Sequence, residues 1–136
     1  MSEAKSPLAA TMDPYLEAYL GGDENAAAEY YSEDIEFFIQ GDHPWAGQYR
    51  GKKAVTRLLR GLMHDTCDEY ELVEVEDVLY SETQVATMPH WRLTLKGKVL
   101  ELKVITVYTL REGAISRVRM YFEDPHKASH FYSLGR

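Results

Sequence analysis

The chain has 136 residues, enough for one domain with its own hydrophobic core and too few for a second domain of ordinary size. Its formal net charge of −7 argues against nucleic acid or an anionic membrane as the main partner, because both select for lysine and arginine. The single cysteine, Cys67, excludes a disulfide framework and a thiolate metal site.

The start of the sequence carries no targeting pattern. It lacks the basic residues and the long apolar run of a signal peptide, and no stretch is long enough to cross a bilayer. We therefore expect a cytoplasmic protein with no membrane partner. Residues 1–12 are small, polar and rich in alanine, and we expect them to form a flexible arm.

Two short helices are predicted next. The first begins at Asp13 and Pro14, since aspartate caps free amides and proline fits the first helical turn, and it ends at Gly21 and Gly22. Its apolar stripe consists of Leu16, Tyr19 and Leu20. Asp23 caps the second helix, whose apolar side is formed by Ala27, Tyr30 and Tyr31.

A short strand over 35–39 leads into a loop over 40–51, which contains three glycines and one proline. The loop also carries Trp45 and Tyr49, and aromatic residues in a loop usually have something to cover. A third helix follows, because four apolar residues fall on one helical stripe: Val55, Leu58, Leu59 and Leu62.

The second half of the chain predicts antiparallel strands. We expect strands over 70–80, with Val73 and Val75 on one face, and over 83–95, followed by a hairpin over 98–122. Every second hairpin residue is apolar or nearly so: Leu100, Leu102, Val104, Thr106, Tyr108 and Leu110, then Val118, Met120 and Phe122. A three-residue turn ending at Gly113 joins the two runs. After residue 124 the chain forms a tail or a short helix.

The order of these elements predicts an α+β domain, with three N-terminal helices packed on one face of a curved, mainly antiparallel sheet. Several segments also resemble the SnoaL-like branch of the nuclear transport factor 2 / ketosteroid isomerase superfamily over residues 13–124. The matching segments are 32–37, 41–47, 49–51, 111–115 and 121–124.

This resemblance implies a cone-shaped roll over 13–124 that encloses a pocket, with an arm before it and a tail over 125–136. It also implies a homodimer formed through the outer face of the sheet. Relatives include isomerases, epoxide hydrolases, polyketide cyclases and dehydratases, as well as members that only bind or scaffold. The fold therefore does not choose the function.

The acids that such relatives use are absent from the matching positions. Ketosteroid isomerase needs a carboxylate base, and the resemblance places Ile39 there. Epoxide-hydrolase relatives use an Asp–Arg–Asp set, and the matching positions hold Met88, His90 and Met120. Met120 also stands where SnoaL-type cyclases often carry an aspartate. The implied pocket is thus mostly apolar, with histidine as its titrating group.

His90 is the leading catalytic candidate. Its strand has Met88, His90, Arg92 and Thr94 on one face and Trp91, Leu93 and Leu95 on the other, and the resemblance directs the His90 face to the cavity. An imidazole with a pKa of about 6.5 can serve as general acid or base near neutral pH. The alternative is that the His90 face is solvated, or lies in a dimer contact, and that Trp91 and Leu93 point inward.

His43 is the second catalytic candidate, because its loop lies at the pocket mouth in relatives. The alternative is a turn residue bonded to local backbone. The residues expected to contact a ligand come from the helices, the loop and the inner sheet face: Arg92, Trp45, Tyr49, Tyr15, Tyr19, Met88, Ile39, Phe37, Leu102, Val104, Val118, Met120 and Phe122.

Other polar groups are assigned to surfaces. Glu101, Lys103, Arg117 and Arg119 lie on the outer hairpin face, where opposite charges on paired strands stabilise modestly and a second copy could dock. His126 and His130 are four residues apart but lack a third ligand. We therefore expect no metal and no cofactor.

Two functions remain open from the sequence. The first is a cofactor-free isomerase, cyclase or dehydratase that acts on an apolar, oxygen-bearing metabolite through His90. The second is a non-catalytic member of the same fold that binds a small ligand or serves as a dimeric scaffold. The absence of the family's carboxylates favours the second.

Overall fold

The computed structural model describes residues 6–134, in which helices and strands follow one another along the chain. The elements are α1 (Ala9–Leu20), α2 (Glu24–Ala28), β1 (Tyr31–Ile39), β2 (Gly47–Arg50), α3 (Lys52–His64), β3 (Glu69–Tyr80), β4 (Gln84–Leu95), β5 (Lys98–Arg111), β6 (Ala114–Phe122) and α4 (Pro125–Ser133). No helix in this part of the chain is long and apolar enough to cross a membrane.

The strands form one open sheet in the order β2-β1-β6-β5-β4-β3. All neighbouring pairs are antiparallel except β1 and β6, which run parallel, so the predicted α+β fold with a mainly antiparallel sheet is confirmed. The alternation along β5 buries one complete face, from Leu100 to Leu110, against the helices. On β6, Val118, Met120 and Phe122 are buried on that same face.

The turn of the β5–β6 hairpin has two residues rather than the predicted three. Arg111 pairs with Ala114, and both Glu112 and Gly113 have positive φ, at 54° and 79°. Positive φ at both central positions is the geometry that matches the twist of two flanking strands. The β4–β5 turn is built in the same way by Lys96 and Gly97.

The first helix begins earlier than predicted. Its N-cap is Leu8, Asp13 does not cap it, and Pro14 lies inside the helix. Proline removes one helical hydrogen bond, but Ala9 and Met12 are buried, and their burial favours the additional helical turn. The second helix begins as predicted, with the Asp23 side chain accepting a hydrogen bond from the Ala26 amide at 3.0 Å.

Three further differences concern irregular segments. Two bulges in β3 place Val73 on the surface, 39% exposed, so it does not share a face with Val75. Residues 47–50, predicted as loop, pair with β1 as an edge strand. The C-terminal segment forms α4, with Ala128 and Phe131 buried against the core.

Candidate functional site

A cavity of about 60 Å³ lies between the helices and the buried face of the sheet. Its walls come from α1, α3, α4 and strands β3 to β6. The lining residues are Tyr19, Leu62, Met63, Thr66, Tyr70, Trp91, Leu93, Leu102, Val104, Met120 and Tyr132. Most of these side chains are apolar, and four are aromatic.

The aromatic walls are held in place by local packing. The rings of Tyr70 and Trp91, on neighbouring strands, are 5.8 Å apart. The Tyr70 hydroxyl lies against the end of α1, since a β-carbon built on Gly22 would be 2.3 Å from it. Gly22 also has a φ of +81°, which glycine adopts without strain. A larger residue there would disturb both the turn and the cavity wall.

The polar atoms of the cavity are mainly phenol hydroxyls. Burial raises the pKa of Tyr19 to about 12, and burial also raises the pKa of Tyr70 and of Tyr132. These phenols are therefore protonated at physiological pH and can donate hydrogen bonds. The lining, as far as the structure describes it, contains no carboxylate, amine or imidazole.

All three phenol hydroxyls are free to meet a ligand. Within residues 6–134, the hydroxyls of Tyr19, Tyr70 and Tyr132 have no hydrogen-bond partner. Thr66 is different, because its hydroxyl already donates to the Leu62 carbonyl at 2.8 Å. Tyr19, Tyr70 and Tyr132 are thus the donors available to bind an oxygen atom inside the cavity.

A second group of tyrosines lies behind Tyr19, in the core. The hydroxyls of Tyr15 and Tyr31 are 2.8 Å apart, and the rings of Tyr15 and Tyr108 are 5.2 Å apart. Tyr15 also stacks on Tyr19, with ring centroids 5.7 Å apart. Tyr15, predicted to contact a ligand, therefore supports the cavity wall from behind and is not part of the lining.

The structure brings some of the predicted site residues together and separates others. The cavity is lined by four of them: Tyr19, Leu102, Val104 and Met120. Four others are buried in the core outside the cavity: Phe37, Ile39, Val118 and Phe122. These four face the helices, as their alternation along the strands predicted, but they do not line the cavity.

The predicted placement of His90 in the cavity is wrong. Trp91 pairs with Leu102, whose side chain lines the cavity, whereas His90 pairs with Lys103 on the other face of the sheet. Its Nε2 atom lies 2.6 Å from Glu101 Oε1. Met88 and Arg92 share this outer face because they have the same parity, and Arg92 bonds Glu71 at 3.1 Å.

His43 is held by its own loop. Its Nδ1 atom accepts a hydrogen bond from the Trp45 amide at 3.2 Å, and its Nε2–H donates to the Gln40 carbonyl at 3.1 Å. Both ring nitrogens are thereby occupied, as the alternative reading of a turn residue predicted. The ring lies 4.9 Å from that of Tyr132, so His43 supports a cavity wall rather than lining the cavity itself.

Trp45 and Tyr49 also serve to pack the loop. A β-carbon on Gly61 of α3 would lie 2.3 Å from the Trp45 ring, so the indole covers the helix at this glycine. The Tyr49 hydroxyl donates to the Trp45 carbonyl at 3.0 Å. Neither residue lines the cavity, which corrects the expectation that both contact a ligand.

Sequence reasoning missed seven lining residues: Leu62, Met63, Thr66, Tyr70, Trp91, Leu93 and Tyr132. For Trp91 and Leu93 the signal was present, because they continue the apolar alternation that reaches Leu95. Leu62 belonged to the predicted stripe of α3. Tyr132 could be found only by treating the end of the chain as a packed helix.

Comparison with known proteins places the chain among similar sequences and folds. The model of the SnoaL-like domain family matches residues 13–118. The uncharacterized protein Rv0034 of Mycobacterium tuberculosis is 30% identical over 117 residues, which cover 85% of this chain and 88% of that protein.

Two solved structures are similar to the whole domain. Bal32a, from a soil-derived mobile gene cassette, has a TM-score of 0.82 and 21% identity, covering 92% of this chain and 95% of that one. TerC, co-crystallized with polyporic acid, has a TM-score of 0.79 and 15% identity, covering 93% and 98% of the two chains. At these identities the two structures show the fold alone.

Proposed function

The chain belongs to the SnoaL-like domain family, and we propose that it binds a small, uncharged, largely apolar molecule that carries a hydrogen-bond-accepting oxygen. The observation that carries this proposal is the chemistry of the cavity lining. Leucine, methionine, valine and tryptophan side chains surround three free phenol donors, Tyr19, Tyr70 and Tyr132. An apolar pocket with a few convergent polar groups is the usual form of a small-molecule site.

The size of the cavity limits the ligand. Its volume of about 60 Å³ would hold a handful of water molecules, and it is well below the roughly 300–1,000 Å³ of sites for drug-sized ligands. Met63 and Met120 line the cavity, and methionine side chains are flexible enough to yield to a guest. A molecule with one ring is therefore the upper limit, and it requires these side chains to move.

The lining favours binding over acid–base catalysis. A general base must accept a proton near neutral pH, and the three phenols of the cavity have raised pKa values and remain protonated there. His90 lies on the other face of the sheet, and both nitrogens of His43 are bonded. Of the two functions open from the sequence, these contacts support the non-catalytic one.

The test compares three probes of similar size: acetophenone, isopropylbenzene and benzoate. Acetophenone has an acceptor oxygen, isopropylbenzene lacks one, and benzoate adds a charge that the apolar lining cannot pair. We expect acetophenone to bind best by calorimetry or by shifts of cavity resonances in NMR. One hydrogen bond should favour it over isopropylbenzene by roughly 2- to 10-fold.

Variants identify the donor. Tyr19→Phe, Tyr70→Phe and Tyr132→Phe are compared, and the one that removes most of the preference for acetophenone while retaining isopropylbenzene binding contains the donor. Tyr30→Phe is the matched control, because Tyr30 does not line the cavity and its change should leave both affinities unaltered. Equal affinity for acetophenone and benzoate, or no binding of any probe, would contradict the proposal.

We also propose that the protein forms a homodimer through the outer face of its sheet. Several apolar side chains cross this face and stay partly exposed, among them Phe38, Leu79, Met88, Ile105, Val107 and Tyr121. Ile105 is 41% exposed, and the rings of Phe38 and Tyr121 are 5.8 Å apart. An exposed apolar band on a sheet face suits the isologous contact of a two-fold dimer. Sedimentation equilibrium measures its formation.

A further inference from the structure

The outer face of the sheet carries opposite charge at two diagonal ends. At the basic end, Arg117 and Arg119 of β6 stand beside Arg50 of β2, with Glu36 as the carboxylate among them. Arg50 is paired with Glu36. Arg117 and Arg119 have no carboxylate within ion-pair distance in residues 6–134. The basic end therefore has an excess of unpaired positive charge.

Arg119 is the most constrained group of the basic end. It pairs with Phe38 on β1 and with Val107 on β5, which places it beside the apolar band. Its Nε atom is buried and has no hydrogen-bond acceptor within the described chain. A half-buried arginine next to aromatic side chains is typical of residues that dominate protein interfaces.

The acidic end lies on β3, β4, the start of β5 and the residue after β6. Five carboxylates, those of Glu71, Glu74, Glu76, Glu101 and Glu123, surround two cations, Arg92 and Lys103. Arg92 bonds Glu71 at 3.1 Å and Lys103 bonds Glu76 at 3.1 Å. Glu74 is exposed and has no ion pair within the described residues. This end therefore has an excess of negative charge.

The two ends are well separated, with the apolar band between them. Along β5, Glu101 belongs to the acidic end and Thr109 pairs with Arg117 of the basic end. Eight residues of extended strand span roughly 27 Å. That distance is long enough for the two ends to face different parts of a second copy.

We propose that two copies pack outer face to outer face with their ends exchanged, so that Arg117 and Arg119 of each copy meet the acidic end of the other. The inference rests on the dimer proposed above and specifies its orientation. Two-fold symmetry allows an axis that puts each end against itself or an axis that exchanges the ends. The first opposes unpaired arginines to each other, and the second pairs opposite charges at both ends.

The experiment measures the dimer dissociation constant by sedimentation equilibrium, from low to high salt, for the wild type and charge variants. Arg117→Gln should weaken the exchanged dimer at low salt by roughly 2- to 30-fold, because each contact occurs twice. Glu74→Lys should weaken it similarly, and Arg117→Glu combined with Glu74→Lys should restore it. Arg57→Gln on α3 is the matched control, since it removes the same charge from an exposed site away from the sheet.

The outcomes separate the two proposals. An exchanged dimer dissociates more readily as salt rises, because screening weakens its attractions. A dimer that tightens with salt, or that tightens on Arg117→Gln, would overturn the orientation and leave the dimer itself standing. A wild type that stays monomeric under all conditions would overturn both. Circular dichroism of each variant confirms that a change in affinity does not come from unfolding.

Discussion

At the scale of single residues, His43 links the loop before β2 to the cavity. Its ring touches Tyr132, which lines the cavity, and Phe122, with centroids 4.9 Å and 6.2 Å away. The neutral form of the ring is needed, because Nδ1 accepts a hydrogen bond from the Trp45 amide while Nε2–H donates one to the Gln40 carbonyl. A proton added to Nδ1 would point at the N–H group of Trp45.

This arrangement predicts a pH dependence of stability. Burial lowers the pKa of His43 below its usual value, so the unfolded state takes up a proton at higher pH than the folded state. The contribution of neutral His43 to the free energy of unfolding should be complete above about pH 6.5. It should decline as the pH falls through that value and level off below the folded-state pKa. Thermal unfolding at pH values on both sides of this range measures the effect.

The variants for this prediction are His43→Gln and His126→Gln. The first should reduce the pH dependence of the melting temperature, even if it lowers that temperature throughout. The second removes an exposed histidine from α4, and it should leave the slope of melting temperature against pH the same as in the wild type. If both variants keep that slope, the neutral hydrogen-bonded form of His43 does not contribute to stability.

His90 shows what a sequence reveals about a single side chain. The apolar series Trp91, Leu93 and Leu95 indicated which face of β4 turns inward, and the structure follows it. The family resemblance pointed the other way, because it assigned positions without regard to the hydrophobic pattern. In a sheet with one buried face, a shift of one residue exchanges the two faces, so parity has to be settled by burial.

At the scale of elements, the contact between α3 and the loop before β2 depends on one glycine. Gly61 is buried in the helix, and the Trp45 ring occupies the space that a side chain would take. Alanine in place of a helical glycine usually stabilises by about 1 kcal/mol. Here we expect Gly61→Ala to destabilise by about 1–3 kcal/mol instead, because the ring must move. Urea denaturation measures the difference.

A second background isolates the cause. In a Trp45→Leu protein the clash is relieved, so adding Gly61→Ala should be neutral or stabilising relative to Trp45→Leu alone. A stabilising Gly61→Ala in the wild-type background would mean that the indole does not pack on α3. The double-mutant comparison therefore tests the contact and not merely the helix.

Regular elements were predictable from the sequence, and irregular ones were not. The alternation from Leu100 to Leu110 and the stripe of α3 each bury one side, and a pattern of that length predicts its element reliably. The bulges of β3 arise from pairing with β4, which no local pattern encodes. The start of α1 was missed because Met12 is buried by tertiary contacts, which outweigh a proline inside the helix.

At the scale of the whole molecule, the cavity is closed by segments from both ends of the chain. Tyr19 comes from α1 and Tyr132 from α4, while the sheet supplies the floor. The start of α4 is fixed by Asp124, whose side chain accepts a hydrogen bond from the Lys127 amide. The Ser129 hydroxyl oxygen accepts a second hydrogen bond, from the Asp42 amide at 3.0 Å. The site therefore depends on long-range packing.

That dependence predicts the effect of a change in α4 on both stability and binding. Phe131 is 3% exposed, and Phe131→Ala should destabilise the protein by about 3–5 kcal/mol. It should also weaken acetophenone binding, because Tyr132 would lose the helix that positions it. His130→Ala is the matched control, since His130 is exposed on the same helix, and it should change stability by no more than about 0.5 kcal/mol. If Phe131→Ala proved as mild as this control in urea denaturation, α4 would not be packed on the core and Tyr132 would not belong to the cavity wall.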